Sequence, residues 1–418
     1  MNILVLNPGS ATLKFGLYAV DESATKLEGM SERPTAAATT ALASGIVERI
    51  GAPDSSFKMS VASRQPVTEP ANVSDAANAV EEIIHRLNAF DGGDQTAGMT
   101  IHAVGCRVVH GGPTLVNPTA ITPSVLDELR TLKDLAPLHI PTDIAVLERL
   151  QELLPETPIV AVFDTAFHQT IPNVASTYAL PADLCARYGI RRYGFHGISH
   201  AYVSKQFLQR THGTAGDSKI ITCHLGSGSS ICAVRNGQSV DTSMGLTPME
   251  GLMMGTRSGD IDPGVVLYLM RSADMTVADV DDLLNHQSGL RGVSALSADV
   301  RDLEREALNG NAHAELALSM FAYRARKYIG AYAAALEGMQ AIVFTGGIGE
   351  HAPFMRTRIC QGLEFLGVHL DADRNRAATG TAAVPVSTND SPVAVWVIPT
   401  DEEAEIAHYT HSALLYTL

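Results

Sequence analysis

The same strand–turn–strand pattern occurs in both halves of this 418-residue chain. In the first half, apolar segments 3–6 and 14–20 flank a turn of small residues. In the second half, apolar segments 220–223 and 231–234 flank the Gly/Ser turn 224–230. A pattern that recurs in this way predicts a duplicated domain.

A second repeated signal supports the duplication. Apolar segment 159–163 ends at the polar Asp164, and segment 341–344 of the second half leads into Thr345 and two glycines. Strands followed by glycine turns are common, however, so the repeat alone leaves an unduplicated chain open. Because strands alternate with helical segments and several are joined as hairpins, the sequence predicts an α/β fold with mixed sheets.

Helical spacing of apolar residues marks the segments between the strands. It predicts helices over 124–132, 141–154 and 312–339, the last being the longest. Residues 371–392 are predicted to be a polar connection that leads into a strand at 393–398.

The charge balance argues against several kinds of partner. With 30 Lys and Arg against 45 Asp and Glu, the chain has a net charge of −15 and no basic stretch, unlike proteins that bind nucleic acid or anionic membranes. Its five cysteines are scattered without a CxxC pair, as is typical of reduced thiols. There is no signal-peptide pattern and no apolar run of about 18 residues. We therefore expect a cytoplasmic protein.

Three glycine-rich turns are candidate phosphate sites, because exposed backbone N–H groups and hydroxyls attract anions. They lie at residues 7–14, 224–230 and 345–350. None has the P-loop spacing, and the second lacks the Rossmann pattern. Each is also compatible with an ordinary tight turn in which glycine only relieves crowding.

Two arginines lie among small residues with few other charges nearby. Arg107 is predicted at the start of a strand, and Arg257 lies in a glycine-rich loop. Guanidinium groups bind carboxylate or phosphate through two parallel bonds, so both are candidate anion clamps, although most arginines are solvated surface groups. His196 and His200 have the i, i+4 spacing of a zinc pair, but no third ligand accompanies them.

Ten motifs, in order along the chain, resemble the acetokinase family of the sugar-kinase/Hsp70/actin superfamily. They lie at residues 7–10, 105–112, 135–139, 162–168, 191–197, 224–230, 241–245, 255–263, 344–350 and 398–403. The resemblance implies two duplicated actin-like (ribonuclease H-like) domains with mixed sheets flanked by helices and a cleft between them. It implies an N-terminal domain at 1–165, completed by 400–418, and a C-terminal domain at 166–399 that carries the nucleotide site.

The resemblance also implies a reaction: the reversible, Mg²⁺-dependent transfer of the ATP γ-phosphate to acetate, which gives acetyl phosphate and ADP. Acetate is already an anion, so the transfer needs positioning and charge neutralisation rather than a strong base, and we expect direct in-line transfer. Mn²⁺ is an alternative metal. The expected partners are acetate, ATP and a second copy of the chain in a homodimer.

The functional residues of the family carry over to matching positions of this sequence. The implied catalytic residues are Arg107, Asp164, His196 and Arg257, of which His196 and Arg257 would stabilise the transition state. The implied acetate-binding residues are Arg107, Val109, Leu138, Phe195 and Pro248. The implied nucleotide-binding residues are Lys14, His224, Gly226, Ser227, Gly228, Asp299, Arg301, Gly346, Gly347 and Gly349. Asn7 and Glu402 would hold the metal.

The chain departs from the family pattern mainly in the substrate and phosphate loops. The departures are Pro8, Ala11, Thr12, Cys106, Ile140, Asp143, Ile198, Ser227 and His351. The implied catalytic residues are all retained, so the departures do not argue against activity. They bear instead on nucleotide preference, KM and acyl-chain preference. A propionate kinase of the same family is an alternative, since one methylene in a hydrophobic pocket is worth only about 1–3 kcal/mol. A non-catalytic actin-like ATPase is the alternative from another class.

Overall fold

The computed structural model describes residues 1–9, 11–20, 39–61, 65–89, 100–137, 139–211 and 217–417. The chain forms two compact units, one made of Met1–Ala166 and Asp401–Leu418 and the other of Phe167–Thr400. The sequence predicts domain boundaries after residues 165 and 399. Each unit contains one mixed sheet with helices beside it, which confirms the predicted α/β class.

The strands are β1 (Asn2–Pro8), β2 (Thr12–Val20), β3 (Thr39–Glu48), β4 (Ser56–Val61), β5 (Val67–Pro70), β6 (Ala103–Val108), β7 (Thr119–Ala120), β8 (Ile159–Phe163), β9 (Lys219–Leu225), β10 (Ser229–Arg235), β11 (Gln238–Thr242), β12 (Ala341–Thr345), β13 (Val384–Pro385) and β14 (Ala394–Val397). The helices are α1 (Ala76–Ala89), α2 (Pro123–Thr131), α3 (Ile140–Leu153), α4 (Asn173–Ser176), α5 (Ala182–Tyr188), α6 (Gly197–Arg210), α7 (Pro263–Ser272), α8 (Val277–His286), α9 (Gly289–Ser294), α10 (Val300–Leu308), α11 (Ala312–Ala335), α12 (Gly346–His351), α13 (Pro353–Cys360), α14 (Ala372–Ala377) and α15 (Glu402–Thr417). Ala166–Thr170 and Glu364–Leu366 are 3₁₀ helices.

The two sheets repeat one topology. Their strand orders are β5-β4-β3-β2-β1-β6-β8-β7 and β11-β10-β9-β12-β14-β13. In the first unit β3, β2 and β1 are antiparallel neighbours, and β6 and β8 add in parallel. In the second unit β11, β10 and β9 are antiparallel neighbours, and β12 and β14 add in parallel. The predicted duplication is therefore present in the strand order.

The predicted correspondence between segments 159–163 and 341–344, however, is wrong. Strand β12 pairs with β9 as β6 pairs with β1, so the counterpart of 341–345 is Ala103–Val108 rather than Ile159–Phe163. Short buried strands that end in a polar residue look alike in sequence. The crossover that places each parallel strand in its sheet decides which ones correspond.

The central strands are apolar because helices cover both of their faces. Ile3 and Leu6 of β1 are fully buried, and α15 packs on β1, β2, β6 and β8. A Cβ at Gly105 would lie 2.2 Å from Thr410 Oγ1 of α15, so this close approach requires glycine. Three glutamates open α15, where their charges suit the positive end of the helix dipole.

Two local predictions need correction. Arg107 is the penultimate residue of β6 and not at the start of a strand, because the strand already begins at Ala103. Segment 371–392 is not only a polar connection, since it contains α14 and β13. Asp371 caps α14 by accepting the N–H groups of Asp373 and Arg374. Among the helices of the described residues, none has the length and apolar character needed to cross a membrane.

Candidate active site

Arg107 and Asp164 form the centre of the predicted site residues in the first unit. Arg107 nearly ends β6, and Asp164 directly follows its parallel neighbour β8. Arg107 Nη2 donates to Asp164 Oδ2 at 2.9 Å, and Nη1 donates to the Pro8 carbonyl at 3.0 Å. Asp164 is only 1% exposed. These two bonds fix the guanidinium plane and, within the described ranges, leave its remaining N–H groups available to an anion.

The charge of Arg107 is held by its surroundings. Burial by itself lowers the pKa of Arg107, but the carboxylates of Asp164 and Glu402 outweigh that effect and raise it above its ordinary value. The guanidinium therefore stays charged at any physiological pH.

Asn7 links two acids at the start of α15. Its Nδ2 donates to Glu402 Oε2 and to Glu403 Oε1, both at 2.9 Å. Burial raises the pKa of Glu403, and the charge of Lys14 opposes that rise. Lys14, predicted to bind nucleotide, thus lies beside the predicted metal residues as the β-sheet partner of Asn7.

The donors at Asn7 and Glu402 fit Mg²⁺ rather than a caged metal. Within the described ranges, no group of three or more His, Cys, Asp and Glu side chains is placed to hold a metal ion. Mg²⁺ usually binds one or two carboxylates and keeps waters and substrate phosphates as its other ligands. One carboxylate and one amide oxygen meet that requirement.

Val109, predicted to contact the methyl group of acetate, directly follows β6 and is buried. Its N–H donates to Asp143 Oδ2 at 2.9 Å. Burial raises the pKa of Asp143 to about 7, although this hydrogen bond and Arg107 oppose the rise. The other predicted pocket residue of this unit, Leu138, lies outside the described residues.

His196 is the centre of the predicted residues in the second unit. It occupies the N-cap of α6 with a φ of 56°, a left-handed conformation that is unusual for a residue other than glycine. Its ring stacks on His224 with a centroid distance of 4.3 Å, and its Nδ1 lies 2.9 Å from Ser230 Oγ. His224 Nδ1 lies 2.8 Å from Ser199 Oγ. These contacts orient both rings.

Arg257 and His196 approach the same glycine. A Cβ at Gly228 would lie 3.4 Å from His196 Nε2 and 3.7 Å from Arg257 Nη1. Arg257 Nη1 donates to the carbonyl of Pro248 at 3.0 Å, which joins another predicted residue to the group. Burial lowers the pKa of Arg257, and within the described part of the chain no carboxylate compensates for it. Arg257 thus offers an uncompensated positive charge beside a histidine and a glycine loop.

A cavity of about 480 Å³ brings together half of the predicted nucleotide residues. It is lined by Gly226, Ser227, Ala298, Asp299, Val300, Arg301, Gly347, Ile348, His351 and Ala352. Asp299 caps α10 and accepts three hydrogen bonds from the Arg301 guanidinium, which hold the pKa of Asp299 below its ordinary value. A volume of this size suits a small organic ligand.

The glycine-rich segment 345–350, predicted as a turn, forms the end of β12 and helix α12, and a buried arginine holds it from within the unit. Gly346 has a φ of 75°, and a Cβ there would lie 2.8 Å from the Leu225 carbonyl. Its N–H donates to Glu350 Oε1 at 2.8 Å. Arg356, fully buried, donates to the carbonyls of Gly349 and Glu350. One residue of α12, Gly347, lines the cavity.

Comparisons with known proteins identify the family. The family model described as "Acetokinase family" matches residues 2–408. The chain belongs to the acetokinase family. The acetate kinase of Heliobacterium modesticaldum is 44% identical over 414 residues, which are 99% of this chain and 100% of that protein. The acetate kinase of Caldanaerobacter subterraneus subsp. tengcongensis is 45% identical over 411 residues, 98% of each chain.

Solved structures support the same family. The crystal structure of Porphyromonas gingivalis acetate kinase has a TM-score of 0.86 at 41% identity and covers 99% of both chains. A propionate kinase from Francisella tularensis has a TM-score of 0.85 at 35% identity and covers 98% of this chain and 99% of its own. The predicted membership of the acetokinase family is confirmed.

Within the acetokinase fold, the predicted residues divide into two groups. The first unit holds Asn7, Lys14, Arg107, Val109, Asp164 and Glu402, and the second holds Phe195, His196, His224, Gly226, Ser227, Gly228, Pro248, Arg257, Asp299, Arg301, Gly346, Gly347 and Gly349. Sequence reasoning missed the supporting residues Ser230 and Arg356. Nothing in the sequence distinguishes them from other serines and arginines, because their roles depend on burial.

Proposed function

We propose that this chain is an acetate kinase that transfers the γ-phosphate of ATP reversibly to acetate. A carboxylate oxygen of acetate attacks the γ-phosphorus, and the bond from that phosphorus to the bridging oxygen breaks. Acetyl phosphate and ADP leave. No proton has to move, because acetate is already an anion and ADP leaves as one. The acetate kinases of H. modesticaldum and P. gingivalis, alike over nearly the full length, support this assignment.

The observation that carries the proposal is that Arg257 and His196 both approach Gly228. The transferring phosphoryl group carries its charge on three oxygens, and catalysis consists mainly of stabilising that charge. A half-buried guanidinium without a carboxylate partner in the described chain, next to an oriented imidazole, supplies donors of this kind. The glycine leaves room for the phosphoryl oxygens.

We assign the first unit to acetate and the metal. Arg107, held by Asp164, binds the carboxylate of acetate, and Val109 contacts its methyl group. Asn7 and Glu402 hold Mg²⁺, which when bound neutralises charge on the ATP phosphates. In the second unit, the cavity lined by Gly226, Gly347 and their neighbours takes the adenosine part of ATP.

Trapping of acyl phosphate with hydroxylamine tests the proposal. Purified protein is assayed with ATP, Mg²⁺ and acetate, propionate or butyrate as separate substrates. Acetate should give the highest kcat/KM. If propionate leads, the chain is a propionate kinase, which the F. tularensis structure makes the second candidate. If none gives an acyl hydroxamate although the protein binds ATP, the kinase assignment is wrong.

A pair of arginine variants tests the site itself. Arg257→Lys keeps the charge but loses the planar fork, and should lower kcat at least about a hundredfold. Arg210→Lys is the control, because Arg210 is exposed at the end of α6 and, among the described residues, donates only to Gln206. Equal activity of the two variants would remove Arg257 from the mechanism.

We propose further that the enzyme is a homodimer, for which helix α7 supplies support. None of its ten residues is buried, yet they include Val265, Leu267 and Tyr268, the last 64% exposed. An exposed apolar helix of this kind is typical of an interface. Leu267→Glu should produce monomers in sedimentation velocity, whereas Leu308→Glu, at an exposed leucine of α10, should leave the dimer intact. A monomeric wild type would refute the proposal.

The cysteines are consistent with a cytoplasmic location, which we also propose. All five are free thiols, and Cys106, Cys223, Cys232 and Cys360 are buried. Burial raises the pKa of the Cys223 thiol well above its ordinary value, so it is unreactive. Cell fractionation should recover the enzyme in the cytoplasmic fraction, and recovery from an oxidising compartment would contradict the proposal.

A further inference from the structure

A chain of hydrogen bonds leads from the His196 ring into the interior of the second unit. His196 Nδ1 lies 2.9 Å from Ser230 Oγ, and Ser230 Oγ lies 2.8 Å from His200 Nε2. His200 Nδ1 lies 2.7 Å from Thr222 Oγ1. Ser230, His200 and Thr222 are all fully buried. The positions of the protons in this series of hydrogen bonds are therefore determined by neighbouring side chains and not by solvent.

The hydrogen-bonding groups of these side chains allow two arrangements of the protons. Within the described residues, the two ring nitrogens are the only hydrogen-bond acceptors near the buried Ser230 hydroxyl. Its one proton is therefore paired only if it donates to one nitrogen and accepts from the other. His200 is neutral, because burial lowers its pKa well below the ordinary value and the neighbouring histidines lower it further. A neutral His200 carries its proton either on Nε2, toward Ser230, or on Nδ1, toward Thr222.

The distances at Thr222 decide between them. Its hydroxyl has a near-ideal acceptor in His200 Nδ1 at 2.7 Å, whereas its other acceptor, the Cys232 carbonyl, is at 3.5 Å, the limit of a hydrogen bond. When Thr222 donates to Nδ1, His200 carries its proton on Nε2 and donates to Ser230. Ser230 then donates to His196 Nδ1, and the neutral His196 ring must carry its proton on Nε2.

We propose that Ser230 and His200 are positioning residues that hold His196 as the Nε2–H tautomer, so that it donates a hydrogen bond to the transferring phosphoryl group without being protonated. The proposal rests on the proposed kinase activity. Nε2 is the nitrogen that lies beside Gly228 and near Arg257. A neutral ring with its proton on Nδ1 would instead present a lone pair to the phosphoryl oxygens and repel them.

Several other charged or titratable groups lie beside the hydrogen-bonded series of His196, Ser230, His200 and Thr222. His224 stacks on His196, and His168 meets His200 edge to face with a centroid distance of 5.8 Å. Arg257 is the permanent charge near the ring. Two further imidazoles and a guanidinium all disfavour an additional positive charge, which favours a neutral His196 as the working form.

The kinetic test uses Ser230→Ala, with Ser204→Ala as the control. Ser204 is a buried serine that bonds to the backbone carbonyl of His200 and not to its ring. In Ser230→Ala the His196 tautomer is no longer fixed, so kcat at pH 8 should fall about tenfold, the equivalent of one hydrogen bond, with KM for acetate and ATP nearly unchanged. Ser204→Ala should match wild type.

The pH profile separates this role from a merely structural one. A protonated imidazole donates from both nitrogens whatever its surroundings. Ser230→Ala should therefore regain kcat relative to wild type as the pH falls. Because the neighbouring positive groups oppose protonation of His196, we expect the recovery below about pH 6.5, the ordinary histidine pKa. An equal deficit at every pH would overturn the proposal.

Nitrogen-15 NMR of ring-labelled histidine tests the tautomer without any assay of activity. His196, assigned by comparison with His196→Gln, should show a protonated Nε2 in wild type and a mixture in Ser230→Ala. A wild-type His196 protonated on Nδ1 overturns the proposal even if Ser230→Ala does not fold. Wild-type protein that forms no acyl hydroxamate would instead count against the kinase activity and leave the NMR result to stand.

Discussion

Replacing the buried Asp143 by asparagine should remove a pH-dependent loss of stability. Asp143 is almost wholly buried, and its Oδ2 accepts the N–H of Val109 at 2.9 Å. Burial raises its pKa from 3.8 to about 7 against the opposing effects of that bond and of Arg107. Asparagine has the same shape and retains an acceptor oxygen. The substitution Asp143→Asn therefore removes a titrating group and little packing.

The direction of the effect follows from proton binding. Between the unfolded pKa of about 4 and the folded pKa of about 7, the folded state binds more protons, so the free energy of unfolding falls as the pH rises. The stabilisation is complete below about pH 4 and is lost as the pH rises through about 7. At about 1.4 kcal/mol per pKa unit, the upper limit is about 4 kcal/mol, of which about 3 kcal/mol lies between pH 5 and 8.

Urea unfolding at several pH values checks this magnitude. Wild type should lose up to about 3 kcal/mol relative to Asp143→Asn between pH 5 and 8, and the difference isolates Asp143 because every other group is common to both proteins. Asp127→Asn, at an exposed carboxylate of α2, should run parallel to wild type. If Asp143→Asn also runs parallel to wild type within about 0.5 kcal/mol, the reasoning is refuted.

Three further substitutions follow from the site geometry. Arg356→Met leaves the acceptors of five buried hydrogen bonds unpaired and should cost about 3 kcal/mol or more in urea unfolding; an unchanged midpoint would contradict this. Gly346→Ala forces a Cβ against the Leu225 carbonyl at a positive φ, and should lower stability by about 2 kcal/mol in the same assay, with equal stability refuting the strain. Arg107→Lys loses the planar guanidinium that bonds to Asp164 and to the Pro8 carbonyl and should lower kcat/KM for acetate about a hundredfold, while a change under threefold would exclude carboxylate binding there.

The fold was largely predictable because its signals are local. Apolar runs such as 3–6 and 220–223 are short, uninterrupted and followed by turn residues, which is how buried central strands read in sequence. The position of Arg107 in β6 and the partner of β12 were not predictable. They depend on where a strand begins and which neighbour it joins, and both are decided by tertiary pairing.

The site residues were predicted one by one only through the family resemblance. Arg107 and Asp164 are 57 positions apart, and Asn7 and Glu402 are 395 apart, so chain spacing carries no sign of their bonds. The role of Ser230 was out of reach for a further reason. A serine next to a glycine turn is common in sequences. Only its burial between two imidazoles determines which nitrogen the Ser230 hydroxyl donates to.

The two arginines are held differently, and the difference bears on the proposed binding of anions by a chain of net charge −15. Arg107 is bonded to the buried carboxylate of Asp164, so the pair is nearly neutral and contributes direction more than attraction. Arg257 bonds to a carbonyl, and burial raises the strength of its field. The attraction between two opposite unit charges about 4 Å apart is about 1 kcal/mol in water but about 4 kcal/mol at the effective dielectric of a protein surface. Distant surface acids are screened beyond about 8 Å at physiological salt, so this one local charge outweighs the acidic surface for an anion bound against it.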